Sequence, residues 1–211
     1  MRLTHLGHAC FLVETQAARL LIDPGVLSAF EGVRELDAVL VTHEHADHVD
    51  IDRLGPLLAA NPRAALVVDA DTAPAVATLP MGAVAARPGD RLSFGGSTVD
   101  VLGGLHAAVY GPVPGCTNNA YLVDHGAFLH PGDSWVRPEV PVDILAVPID
   151  GPWLKLADAI DYVRDIAPRV AVPMHEGETT DPGKYGGMLA GLSPEGVVQR
   201  LAPGEATSFD G

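Results

Sequence analysis

Lysine is almost missing from this 211-residue chain, occurring only at Lys155 and Lys184. With 13 Lys and Arg against 27 Asp and Glu, the formal charge is −14. No basic stripe exists to follow a phosphate backbone, so no nucleic-acid partner is expected. Cysteine is limited to Cys10 and Cys116. Two thiols make no disulfide framework, and each is expected as a small buried residue in a reducing compartment. No apolar run approaches membrane-spanning length, and Met1 leads straight into Leu3-Thr4-His5-Leu6 without a leader, so the expected location is cytoplasmic and no membrane is expected as a partner. Aromatics are sparse, whereas Gly and Pro are plentiful (23 and 18), which implies many short connections. No linker interrupts the chain, and residues 1–211 are expected to form a single domain.

What is present alternates between strand and helix patterns. Three short strands are read around Leu3–Leu6, Cys10–Val13 and Arg19–Asp23, then a buried one over Leu36–Val41. A helix over Ile51–Ala60 with a Gly55-Pro56 interruption, a strand over Ala64–Val68 and a helix from Asp71 or Thr72 to Leu79 follow. A hairpin turns at Gly95-Gly96, and strands are read at Asn119–Val123, Ala127–Leu129, Val142–Val147 and Val170–Met174. Leu156, Ala159, Ile160, Val163 and Ile166 mark an amphipathic helix, and a last helix is read over Ser193–Arg200 before a polar tail. Alternation of this kind gives an α/β or α+β protein with helices packed on sheets.

The chemistry concentrates where the Leu36–Val41 strand ends, in Thr42-His43-Glu44-His45-Ala46-Asp47-His48. On an extended segment His43 and His45 leave on one side. A helical turn after them would carry Asp47 and His48 to a second position nearby. Imidazole and carboxylate suit zinc, manganese or iron. A solvated polar turn is the plainer alternative, but crowded imidazoles repel one another once protonated and gain little by packing. Four such groups can hardly all face one ion, so two adjacent sites are implied.

The spacing His-x-His-x-Asp-His resembles the signature of the metallo-β-lactamase fold superfamily. Leu6-Gly7-His8-Ala9-Cys10-Phe11-Leu12-Val13, the compact length and Asn118-Asn119-Ala120-Tyr121-Leu122 are similar to its UlaG-like branch. The resemblance implies an αββα four-layer sandwich and a binuclear metal-dependent hydrolase. His106, Asp133 (in Gly132-Asp133-Ser134) and His175 each sit where a strand runs out into a loop. They match the remaining ligands in order. Metal one would then take His43, His45 and His106; metal two, Asp47, His48 and His175; Asp133 would bridge.

Two divalent ions about 3.5–4 Å apart would hold a hydroxide for attack on a carbonyl or phosphoryl centre. Zinc is the first expectation, with manganese or iron as alternatives. Asp47 would also orient the nucleophile, making it the catalytic residue. Ser134 reads as a hydrogen-bonding neighbour of the ligands rather than a nucleophile, and His130 as another such neighbour. His8 either lies against the centre or is a strand histidine bonded to a carbonyl. His125 and Glu176 are read as solvated, Glu44 as turned away from the metals, and Trp135 and Trp153 as pocket wall or ordinary packing.

The expected partner is a small-molecule lactone, ester or phosphodiester, with a homo-oligomer left open. The alternative function is an iron-containing redox member of the same fold, similar to sulfur dioxygenases, and after it a nuclease, disfavoured by charge. A zinc deaminase would need a Pro-Cys-x-x-Cys that the chain lacks. An amidohydrolase barrel needs about 250 residues and eight regular βα units.

Overall fold

The computed structural model describes residues 1–210 except Pro112 and Pro114. Its elements run β1 (Arg2–His5), β2 (Phe11–Glu14), β3 (Arg19–Ile22), β4 (Ala38–Leu40), α1 (Ile51–Ala60), β5 (Ala65–Val68), α2 (Ala73–Val76), β6 (Val84–Ala85), β7 (Arg91–Phe94) and β8 (Ser97–Gly103). The second half continues with β9 (Asn119–Val123), β10 (Phe128–His130), β11 (Ile144–Pro148), α3 (Leu156–Ile166), β12 (Val170–Met174), α4 (Pro182–Leu192) and β13 (Ala206–Ser208). Among the described residues these strands form two sheets, ordered β13-β1-β2-β3-β4-β5-β6 and β12-β11-β10-β9-β8-β7.

Each sheet starts from antiparallel hairpins and grows by parallel strands, β3-β4-β5-β6 in one and β10-β11-β12 in the other. Period-two alternation assigns the faces. Leu20, Ile22, Ala38 and Leu40 point toward the second sheet and meet Val101, Tyr121, Phe128, Ala146 and Val172. Leu21, Val39 and Leu66 point the other way, onto Leu54, Leu57 and Leu58 of α1. On the far side Leu129, Leu145 and Ala171 pack against Ala159 and Val163 of α3 and Leu189 of α4. The layers are therefore helix, sheet, sheet, helix: an αββα sandwich. No helix among the described residues is long and apolar enough to cross a membrane.

Several elements differ from the sequence expectations. Helix α1 runs unbroken through Pro56, which lies on its exposed face with Gly55 before it. Helix α2 is a single turn rather than nine residues, and it is capped from outside: the Asp69 carboxylate accepts from the backbone N–H of Asp71 and Thr72 and from the Thr72 hydroxyl. The last helix is Pro182–Leu192, not Ser193–Arg200. Its glycines weaken the helix signal, but Asp181 caps it through the Lys184 N–H (2.9 Å) and Pro182 occupies its first turn. Residues 197–199 instead run beside β12, bridging Val198 to Ala171, and the tail adds β13 to β1.

Buried Tyr121 ties the second sheet to the end of β4, its hydroxyl donating to the Val41 carbonyl at 2.7 Å. Tyr121→Phe is expected to lower stability by about 1–2 kcal/mol, because a buried acceptor loses its partner. Urea denaturation checks this; an unchanged midpoint would show that the bond contributes nothing.

Candidate metal centre

All seven candidate ligands come from loops leaving one end of the sandwich. His43, His45, Asp47 and His48 follow β4, His106 follows β8, Asp133 follows β10 and His175 follows β12. The stretch after β4 is a tight turn rather than a helix, closed by the N–H groups of His48 and Val49 on the His45 carbonyl, both at 2.9 Å. The loop after β3 clamps it: Val26 N–H donates to Ala46 C=O, and Asp50 N–H to Pro24 C=O. Gly25 permits this approach, since a Cβ there would overlap the Asp47 carbonyl.

Two groups of donor atoms result, each with all members within 4.8 Å of one another: His43, His45, His106 and Asp133 in one, His8, Asp47, His48 and His175 in the other. Asp133 faces both. Its Oδ2 lies 3.2 Å from His106 Nε2 and 3.1 Å from His175 Nε2, while its Oδ1 lies 3.2 Å from His48 Nε2. His43 Nε2 and His45 Nδ1 are 3.0 Å apart, and His175 Nε2 is 3.3 Å from Asp47 Oδ2. Ligands about 2.0–2.1 Å from a tetrahedral ion stand roughly 3.3 Å from each other, the spacing observed.

The buried atoms His48 Nε2, His106 Nε2, His175 Nε2 and Asp133 Oδ1 have no hydrogen-bond partner. Orphans of that kind are costly unless something else fills them. The donor set of five imidazoles and two carboxylates fits a pair of divalent cations.

Supporting contacts fix the ring orientations. His48 Nδ1–H donates to Asp23 Oδ2 at 2.7 Å and His106 Nδ1–H to the Ala107 carbonyl at 2.6 Å, leaving each Nε2 lone pair toward the centre. In sequence Asp23 is only the last residue of a strand, and its role is a finding of the structure. It also accepts from the Thr42 N–H and hydroxyl, both at 2.7 Å. Asn118 was likewise missed: its Oδ1 accepts from the Asp133 N–H at 3.0 Å while its amide N–H donates to Pro131 C=O. The signal available was a polar side chain at the edge of a buried strand, which alone is too common to assign.

His130 donates from Nε2 to the Ala9 carbonyl and accepts the Gly132 N–H at Nδ1. Ser134 Oγ donates to Pro131 C=O. Both thus brace the Asp133 turn, and Ser134 is buried away from any nucleophilic use. Glu176, read as solvated, is mostly buried, with Oε1 3.6 Å from His5 Nε2. Trp153 stands edge-on to His106 and His175, with Trp135 behind it. Cys10 and Cys116 are both free.

Burial opposes charge throughout the centre, and the carboxylates decide which rings overcome it. Burial, then His48, lowers His43 well below the ordinary imidazole range. Burial also pulls His175 down, but Asp133 and Asp47 outweigh it and raise it to about 9. Asp47 is pushed up by burial yet held far below the carboxylate range by the imidazoles of His175 and His8 beside it.

A cavity of about 250 Å³ adjoins the centre, lined by Glu44, His45, His106, Ala107, Val109, Val113, Gly115 and Cys116. A larger groove of about 520 Å³ past Asp100, Leu122 and Arg137 touches none of these ligands, so the chemistry places the site at the smaller one.

A four-layer sandwich with this double cup at one end of its sheets defines a metal-dependent hydrolase of the metallo-β-lactamase fold. The family model of the β-lactamase superfamily domain matches residues 2–175, and the chain belongs to that family. Protein Rv0786c of Mycobacterium tuberculosis is 45% identical over 181 residues, spanning 83% of this chain and 84% of that one. A metal-dependent hydrolase of Carboxydothermus hydrogenoformans is 30% identical across 97% of this chain and 98% of its own length. Among solved structures, a metallo hydrolase of the archaeon Ignicoccus hospitalis superposes with a TM-score of 0.77 at 21% identity, covering 99% of this chain and 98% of that one.

Metal uptake should release protons at neutral pH. The metal-free His175 ring, raised to about 9, is protonated there and must lose its proton to ligate. Affinity therefore rises with pH up to about 9. Calorimetric titration of the metal-free protein with zinc, in buffers of different ionisation enthalpy, reads the proton count directly; a count of zero would contradict the assignment of His175.

Proposed function

We propose that this chain hydrolyses an uncharged carboxylic ester or lactone at a two-ion centre. Site one is formed by His43, His45 and His106, site two by Asp47, His48 and His175, with Asp133 shared. The observation that carries the reading is the set of unpartnered Nε2 atoms converging on Asp133 at 3.1–3.2 Å from both sides. Two divalent ions held there supply Lewis acidity and lower the pKa of water to near neutrality. Zinc suits the imidazole-rich set, and manganese or iron are the alternatives.

The chain's own residues do the rest. The Asp47 side chain, 21% exposed, keeps its carboxylate ionised at the centre, where it orients the attacking water. Trp153 closes the centre over His106 and His175. Ala107, Val109 and Val113 give the adjoining cavity apolar walls, with Glu44 at its edge and no Lys or Arg among the described residues lining it. Such a wall, carrying Glu44 and no Lys or Arg among its described residues, favours a compact neutral acyl or alkoxy group over a phosphodiester. The Gly7-His8-Ala9-Cys10 piece supports placement in the UlaG-like branch.

Asp47→Ala and His106→Ala are each expected to reduce hydrolysis of para-nitrophenyl acetate and of simple lactones to the level of the metal-free protein, with an unchanged circular dichroism spectrum. Full turnover by either variant would refute the mechanism. A clear preference for bis(para-nitrophenyl) phosphate over every ester and lactone would refute the substrate class.

A further inference from the structure

Three imidazoles, His8, His48 and His175, surround the Asp47 side of the centre at ligand spacing. Spacing alone would make all three ligands. Their hydrogen bonds divide them. A neutral imidazole has one N–H and one lone pair. In His48 the N–H faces Asp23 and the lone pair faces the centre.

His8 is wired the other way round. Its Nδ1 accepts the backbone N–H of Gly177 at 3.0 Å, so the remaining proton belongs on Nε2, which lies 2.9 Å from Asp47 Oδ2. For Nε2 to bind a cation the proton would have to move to Nδ1, setting one N–H against another. The ring is buried, leaving it no water to turn to.

The arrangement is built from both ends of the chain. His175 N–H donates to the His8 carbonyl at 3.0 Å, making a second tie between the same two loops. His8 and His175 both hold left-handed backbones, at φ 53° and 63°, a conformation non-glycine residues adopt only under constraint. A Cβ on residue 177 would sit 2.8 Å from His8 Nδ1, so glycine is what lets the amide reach the ring.

We propose that His8 is not a metal ligand but a positioning residue: its Nε2–H holds Asp47 Oδ2 toward His48 and His175 while the Gly177 amide locks the tautomer. This rests on Asp47 being a ligand and orienting group, as argued above. Donation to a ligand carboxylate fixes its rotamer and draws charge from it, and loss of such outer partners typically costs 10–100-fold in affinity or activity.

The test compares His8→Phe and His8→Gln with the unaltered protein, each loaded with zinc and dialysed. Both variants should keep the same zinc equivalents per chain as the unaltered protein, measured by plasma mass spectrometry. Nitrogen-15 spectra of the zinc-loaded unaltered protein should show the His8 proton on Nε2. His8→Phe should lose roughly 10–100-fold in kcat on para-nitrophenyl acetate with KM little changed. His8→Gln, whose amide nitrogen replaces the Nε2 donor, should recover most of it.

Loss of one zinc equivalent in both variants, or a proton found on Nδ1, would make His8 a ligand and overturn the proposal. Unchanged kcat in His8→Phe would reduce His8 to a packing residue and overturn it equally. Failure of the Asp47 reading is seen separately, as full activity of Asp47→Ala, whereas the zinc count and the ring proton report on His8 alone.

Discussion

The Asp23 carboxylate organises the end of the sandwich where the chemistry lies. It is fully buried at the exit of β3, and it accepts the Thr42 N–H, the Thr42 hydroxyl and the His48 Nδ1–H, each at 2.7 Å. A carboxylate without water needs hydrogen-bond donors on its oxygens, and these three serve both of them. Because Thr42 begins the exit of β4 and His48 ends the tight turn after it, one side chain fixes both boundaries of the His43–His48 stretch. The turn cannot relax away from the sheets without emptying Asp23.

The sandwich extends this arrangement to the distant candidate ligands. Parallel strands present their carboxyl ends at one edge, and β4 and β12 deliver His43–His48 and His175 from opposite sheets. β10 delivers Asp133 between them through a turn that Asn118, His130 and Ser134 brace. Packing of Leu20, Ile22 and Leu40 against Tyr121, Phe128 and Ala146 holds the two sheets together. Close-packed interiors deform little, so donor atoms drawn from both sheets keep their spacing. Much of the site's precision is thus a property of the core rather than of the loops.

How much of this was legible in sequence depended on whether the signal was local. His43, His45, Asp47 and His48 stand within six positions after a buried strand, and α3 by its periodicity and β12 by its short apolar run have bounds the structure repeats. His106, Asp133 and His175 became candidates because each follows a strand, an argument about topology supported by resemblance. Asp23 and Asn118 act through contacts 15 to 25 residues away, and no local pattern announces such a partner. Helix α4 has no clear signature in sequence because its glycines carry poor helix propensity, while its packing on the second sheet, through Leu189, is invisible in one dimension. α2 failed in the opposite sense: its composition suits a helix, but Pro80 follows closely and Asp69 is committed to Thr117 as well as to the cap.

The histidines show why residue type alone does not assign a centre. Nine occur in the chain, and several crowd the same small volume, yet hydrogen bonds sort them into different employments. Rings whose Nδ1 or neighbouring acceptor takes the proton, as His48 and His106 do, turn an empty Nε2 inward. His130 and His8 instead receive backbone N–H groups at Nδ1 and carry their proton on Nε2, which goes to the Ala9 carbonyl in one and to Asp47 in the other. The backbone therefore chooses the tautomer, and the tautomer chooses between holding a cation and holding another side chain. A Gly at 177 and an acid at 23 are, in that sense, as much a part of the donor set as the imidazoles they direct.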